Sequence, residues 1–158
     1  MLGNYLDIMI DSLKKKSGLL DEIEQKSKAQ ADIIKNSDTL IADLDKNMEE
    51  KSALIEQLNS LDDGFEALYE NIKDNLEAQK AQYADKIRTI QGLIEEVVGK
   101  SASIQAIEAR NKADIEAHFA GERKSLREKK TVSKVAYNYY LTANKIDFTT
   151  PQFMDKKK

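Results

Sequence analysis

The residues of this chain that could carry chemistry are abundant acids, one histidine and a group of aromatic side chains near the C-terminus. Zinc and acid–base sites need several groups that converge on one point, and His118 has no second histidine with which to bind a metal. Adjacent acids point about 100° apart around a helix, so acidic pairs do not converge either. These pairs are Glu49-Glu50, Asp62-Asp63 and Glu95-Glu96. We therefore expect no catalytic, cofactor-binding or metal-binding residue, and we predict that the protein is not an enzyme.

The aromatic group is the other candidate. Five of the ten aromatic residues, and the one proline, lie in the last 23 positions. Such large amphipathic side chains are typical of the centres of protein interfaces. One interpretation is that this tail folds back over an apolar end of its own chain; the other is that it anchors a partner helix, and the two are compatible. The candidate partner-binding residues are Tyr137, Tyr139, Tyr140, Phe148 and Phe153.

The body of the chain has the composition of long helices, with 34% charged residues, 6% aromatic residues and no tryptophan. Apolar residues recur at alternating steps of four and three, the spacing of a heptad seam. The seam of the first helix is Leu2, Leu6, Met9, Leu13, Lys16, Leu20, Ile23, Ser27, Gln30 and Ile34. The seam of the second is Leu40, Leu44, Asn47, Lys51, Leu54, Leu58, Leu61, Phe65, Leu68 and Ile72. The third runs through Tyr83, Ile87, Ile90, Ile94, Val97, Ser101 and Ile104, then drifts to Ile107, Asn111, Ile115, Phe119 and Leu126.

Turn and cap signals divide these seams into three helices. Asn4 is a candidate N-cap of the first. The stretch KNSDT at positions 35–39 predicts the first turn, and the second is placed near 73–77, where the apolar pattern fades. Gly64 and Gly99 do not shift the phase of the seam, so we expect both inside helices. The predicted helices are 4–35, 38–73 and 78–131.

Several seam positions are polar. We expect them to lie at frayed or exposed stretches where the seam is wide. The alternative is that they set the register of the helices and exclude wrong pairings. Apolar residues beside the seam, such as Met48 and Ile55, widen each stripe as a three-helix body requires. The polar positions are Lys16, Ser27, Gln30, Asn47, Lys51, Ser101 and Asn111.

The predicted fold is all-α: an elongated antiparallel three-helix bundle, or coiled coil, with a partly ordered C-terminal tail. Residues 1–131 form the bundle. Residues 132–158 form an aromatic and basic tail that is helical at its start. The third helix is the longest, at about 75 Å, so we expect it to overhang the other two.

The formal net charge of -3 is unevenly distributed. Residues 122–158 hold ten Lys and Arg against four Asp and Glu, a charge of +6, which leaves -9 for residues 1–121. The basic part could dock on the acidic body or on an acidic protein. We expect no nucleic-acid partner, because the basic clusters carry no nucleic-acid-binding motif and the chain as a whole is acidic.

We expect a cytoplasmic protein that does not span a membrane. The N-terminal stretch MLGNYLDIMIDSLKKK places its apolar run before its lysines, the reverse of a signal peptide. No stretch approaches the roughly 18 apolar residues that a membrane span needs. The chain also has no cysteine, which excludes a disulfide framework.

Four segments of the chain resemble the FlgN-type flagellar export chaperones. EEKSALIEQLNSLDD at Glu49 to Asp63 is similar to a segment of that family's second helix, and IQAIEARNKADIE at Ile104 to Glu116 is similar to a stretch of its last helix. The tyrosine-bearing tail around Tyr137 and the ending PQFMDKKK also resemble the family. The tail departs from the family pattern because Asn138 stands where a glycine follows the tyrosine.

The resemblance implies a cytoplasmic type III export chaperone for flagellar assembly. Such a chaperone binds the C-terminal helices of the hook-filament junction (hook-associated) proteins, prevents their premature assembly and presents them to the export apparatus. By this resemblance Tyr137 contacts the partner, and Asn111 matches a motif position to which we assign no role. Two alternatives remain open: a FliT-like chaperone of the filament cap protein, and a homodimeric structural coiled coil.

Overall fold

The chain folds into three long α-helices. The computed structural model describes residues 2–36, 41–121 and 153–154, without the side chains of residues 41–42 and 118–121. The helices are α1, Leu2–Lys35; α2, Ile41–Ala78; and α3, Ala84–Gly121. These residues contain no strand, so the predicted all-α three-helix bundle is confirmed.

Ion pairs between helices show the direction in which each helix runs relative to α1. Lys16 pairs with Asp62 and Lys26 with Glu50, so residue numbers fall along α2 as they rise along α1. The two helices are therefore antiparallel. Between α1 and α3 the numbers rise together, because Asp7 pairs with Lys86 and Asp21 with Lys100, and these two helices are parallel.

The seam of α1 is buried as predicted, because a strict heptad repeat keeps one face toward both partner helices. Its inward residues include Leu6, Met9, Leu13, Lys16, Leu20, Ile23, Ser27 and Gln30. The proposed N-cap is wrong: α1 begins at Leu2, so Asn4 lies within the helix. Gly18 is an ordinary helical residue of α1.

In α2 the buried face is displaced from the predicted seam. Lys51, Leu58, Phe65 and Ile72 are buried as expected. Between them, however, the predicted Leu54, Leu61 and Leu68 are only half-buried, and Ile55 is buried in place of Leu54, because α2 must also face α3. The buried residues that the seam omitted are Met48, Ile55 and Leu76, the first two of which were predicted to flank it.

The second turn also differs from the prediction. α2 continues through Asp74 and Asn75 to Ala78, and the turn occupies residues 79–83. The helix continues because Leu76 is fully buried and extends the apolar face by one more turn. The end is closed by backbone bonds from Gln79 N to the carbonyl oxygens of Asn75 and Leu76, at 3.2 and 3.1 Å.

α3 is continuous through Gly99, and α2 through Gly64, as predicted. Within the described residues α3 has 38 residues, the same length as α2. The predicted extension to residue 131, and with it the overhang, lies outside the described residues. In α3 Ile107 and Glu108 are both half-buried, and Glu108 reaches the interior by pairing with the buried Lys51.

The core has two apolar clusters. One surrounds Leu20, Ile55 and Ile104 toward the α1–α2 turn, and the other surrounds Met9, Phe65 and Ile90 toward the α2–α3 turn. The ion pair of Lys16 with Asp62 lies in the interval between them along α1 and α2.

The expectation for the polar seam positions is wrong. All seven are buried, with exposed fractions between 0% and 6%. Most of them make hydrogen bonds or ion pairs to another helix, among them Lys16, Asn47, Lys51 and Asn111.

Candidate protein-binding groove

The structure places one of the five predicted tail residues. Phe153, with Met154 beside it, lies half-buried against α2 and α3. The other four predicted partner-binding residues, Tyr137, Tyr139, Tyr140 and Phe148, lie outside the described residues. For Phe153 the geometry is that of a tail folded back onto its own chain.

Phe153 contacts two aromatic rings of α2. Its ring centroid is 5.3 Å from that of Tyr69 and 6.3 Å from that of Phe65, with interplanar angles of 48° and 53°. Distances and tilts of this size are favourable for aromatic pairs. Phe65 and Tyr69 are four residues apart, which places both on one face of α2.

α3 contributes a polar contact to the same segment. The side-chain amide of Gln91 donates a hydrogen bond from Nε2 to the main-chain carbonyl oxygen of Met154, at 2.9 Å. Phe153 and Met154 are not helical. The groove therefore holds a non-helical piece of chain through two ring contacts and a hydrogen bond to its backbone.

The groove exists because α2 and α3 are the more widely separated pair. Among the described residues, the backbone of α1 approaches both other helices closely, whereas α2 and α3 approach each other less. The space between them is filled at this level by Phe153 and Met154, which join the apolar cluster around Ile90. We call this site, lined by Phe65, Tyr69 and Gln91, the α2–α3 groove.

The exposed surfaces of α2 and α3 differ in character. The outer face of α2 carries one exposed acid per heptad, in a line about 42 Å long. On α3, Val98 is seven residues beyond Gln91 and so lies on the same face, where it is 38% exposed. The exposed acids of α2 are Glu49, Glu56, Asp63, Glu70 and Glu77.

Tyr69 is a neutral phenol at this site. Burial raises its pKa above the ordinary value of 10.0, and the negative charge of Glu77 raises it further. Tyr69 therefore presents an uncharged amphipathic side chain to the occupant of the groove over the physiological pH range.

A second cavity, of about 530 Å³, opens at the end of the bundle near the α2–α3 turn. Leu2 and Tyr5 of α1 line it together with amide side chains of α2, including Asn71 and Asn75. Phe65 and Tyr69, whose rings contact Phe153, do not line it.

Within the described ranges, no group of three or more acids or histidines is arranged to hold a metal ion. His118 belongs to α3, but its side chain is one of those not described. None of the described helices contains a stretch long and apolar enough to cross a membrane. The α2–α3 groove can bind an apolar segment reversibly.

No protein-family model, curated protein or solved structure matches this chain.

The sequence singled out Phe153 but not the surface that receives it. The i, i+4 pair of Phe65 and Tyr69 was the available signal, because the seam accounts for Phe65 alone. Gln91 carried no signal, since a glutamine on a charged helix has no distinctive pattern. Its role depends on the separation of α2 from α3, which is a tertiary property.

Proposed function

We propose that this chain is a binding protein that holds an apolar segment of another protein in the α2–α3 groove. More specifically, we propose a cytoplasmic export chaperone of the FlgN type, acting on the C-terminal helices of hook-associated proteins. The observation that carries the proposal is the docking of Phe153 and Met154, because it identifies a surface that accepts apolar side chains from outside the three helices.

The kind of contact that Phe153 and Met154 make supports an exchangeable site. Among the described residues, two half-buried side chains and one side-chain hydrogen bond lie in the groove. An apolar contact of this size is worth only a few kcal/mol, roughly 25 cal/mol for each Å² buried. A partner helix with several anchors would displace it, and release would restore the self-docked state.

The resemblance supports the finer assignment. The segments at 49–63 and 104–116 fall on α2 and α3 in the structure. Under this proposal the tail has two roles: Phe153 occupies the groove when the protein is free, and the tyrosines around Tyr137 contact the partner when it arrives.

Fluorescence anisotropy of labelled peptides tests the proposal. The peptides are the C-terminal helices of the hook-associated proteins encoded in the same genome, with the corresponding helix of the filament cap protein as a second arm. Phe153→Ala removes the competing side chain, so we expect severalfold tighter binding. Tyr137→Ala with Tyr140→Ala should weaken binding. The control, Ile8→Ala, changes an exposed apolar residue of α1 away from the groove and should leave binding unchanged.

Each outcome decides between the candidates. Binding of the hook-associated peptides with this order of affinities supports the FlgN-type assignment, and preference for the cap peptide supports the FliT-like one. If no peptide binds, and light scattering shows a tight dimer that Phe153→Ala does not alter, the protein is a structural coiled coil and the proposal is wrong.

A further inference from the structure

Five polar side chains from all three helices meet in the interior of the bundle, on the side toward the α1–α2 turn. Lys51 Nζ donates hydrogen bonds to Gln30 Oε1, at 2.5 Å, and to Glu108 Oε1. Ser27 Oγ donates to the same oxygen of Glu108, at 2.5 Å. Asn111 Nδ2 donates to the carbonyl oxygen of Ser27 at 2.8 Å. We call these five residues the Lys51 layer.

The Lys51 layer is deeply buried. The side chain of Lys51 is 0% exposed and that of Glu108 is 15% exposed. Ser27, Gln30 and Asn111 are also 0% exposed. Moving a lysine and a carboxylate out of water costs several kcal/mol for each ion, and their mutual attraction often repays no more than this.

The layer is also incompletely satisfied. Gln30 Nε2 and Asn111 Oδ1 are buried and have no hydrogen-bond partner among the described residues. A buried polar atom without a partner costs about 1–3 kcal/mol. A set of well-packed apolar side chains would avoid both costs, so the contribution of the layer to stability does not explain its presence.

The apolar seams leave an ambiguity that the layer can remove. A heptad repeat that slides by seven residues still sets apolar residues against apolar residues, so the clusters around Ile55 and Phe65 do not by themselves select one alignment. In the observed alignment Gln30 lies opposite Lys51, and Ser27 lies opposite Glu108.

We propose that the Lys51 layer selects the register of the three helices, excluding alignments that the apolar seams alone would permit. If α2 slides by one heptad along α1, Lys51 faces Ile23 in place of Gln30. If α3 slides, Glu108 faces Leu20 or Ile34. Each slip leaves a buried charge among apolar side chains, which is strongly destabilising.

Spin-label distances in the full chain test the proposal. The chain has no cysteine, so two introduced cysteines label it without background. Lys28 and Ala53 are exposed and lie at the same level on α1 and α2, and Lys28 and Ala109 do so on α1 and α3. The test variant is Lys51→Met with Glu108→Leu. The matched control is Lys86→Met with Asp7→Leu, which removes an exposed ion pair between α1 and α3.

We expect one narrow distance distribution for each label pair in the wild type and in the control. The apolar variant should remain helical and melt at the same or a higher temperature. It should also show additional distances, because a one-heptad slip displaces a helix by about 10 Å. Replacing Gln30 and Asn111 with Leu keeps the ion pair, so the extra distances should appear there in smaller proportion.

Two outcomes contradict the proposal. One is a single wild-type distance for each label pair in both the apolar variant and the Gln30→Leu, Asn111→Leu variant, which would show that apolar packing already selects the register. The other is loss of helical structure in the apolar variant, which would show that the layer contributes stability instead.

Discussion

The Lys51 layer and the α2–α3 groove lie at different levels of one bundle, and they are built in opposite ways. The layer joins all three helices through polar side chains that are almost wholly removed from water. The groove receives two half-buried residues from the far end of the chain, through aromatic contacts and one side-chain hydrogen bond. Under our proposals, polar contacts hold the helices in place at one level, while apolar contacts leave an exchangeable site at another.

We expect the largest loss of stability when only one residue of the Lys51–Glu108 ion pair is replaced. Glu108→Leu leaves the fully buried Lys51 without its carboxylate, and we expect the free energy of unfolding to fall by about 3–5 kcal/mol in urea denaturation. The control is Glu24→Gln, which removes a surface pair with Lys28 and should cost less than about 0.5 kcal/mol. Similar losses for the two variants would mean that the layer is not electrostatically distinct from the surface.

Two neighbouring residues of α2, Leu54 and Ile55, test which apolar face of this helix packs in the core next to the Lys51 layer. Ile55 is 2% exposed, whereas Leu54 is only half-buried. Ile55→Ala should lower the free energy of unfolding by about 3 kcal/mol, because it leaves a cavity, and Leu54→Ala should cost less than half as much. Equal losses would show that Leu54 contributes as much to the core as Ile55, as the predicted seam requires.

Much of the fold follows from the heptad pattern, and what the pattern misses has identifiable causes. The α1 face was predictable because α1 contacts both other helices with one strict repeat. In α2 the fully buried residues Met48 and Ile55 flank the predicted seam, because this helix must cover two neighbours at different angles. The burial of the polar seam positions was not predictable, because no sequence pattern identifies a buried partner for any one of them. Lys51 and Glu108 are interpretable only as a pair, and the pairing is tertiary.

We expect a smaller loss of stability from a substitution in the α2–α3 groove. Phe153→Ala removes the ring that contacts Phe65 and Tyr69, and we expect a loss of about 1 kcal/mol in the free energy of unfolding. It should also increase the fluorescence of a dye that binds exposed apolar surface. If dye binding stays at the wild-type level, Phe153 does not cover the groove in solution.

The smallest effect concerns pH. Burial lowers the pKa of Lys51 below its ordinary value of 10.5, against the opposing effect of Glu108. The unfolded chain therefore binds more protons than the folded chain between the lowered pKa and 10.5, so stability rises with pH through that window. Urea unfolding of the wild type and Lys51→Met at several alkaline pH values should show the wild type gaining stability relative to the variant. A constant difference would contradict the burial of a charged lysine.

The contrast between a fixed layer and an exchangeable groove is tested most directly by amide NMR of the full chain during titration with a hook-associated C-terminal helix. We expect the resonances of Tyr69, Gln91 and Phe153 to shift as the tail residues are displaced, while those of Ser27 and Asn111 stay unchanged. Shifts at Ser27 and Asn111 with none at Tyr69 and Gln91, or binding that leaves Phe153 in place, would contradict the account.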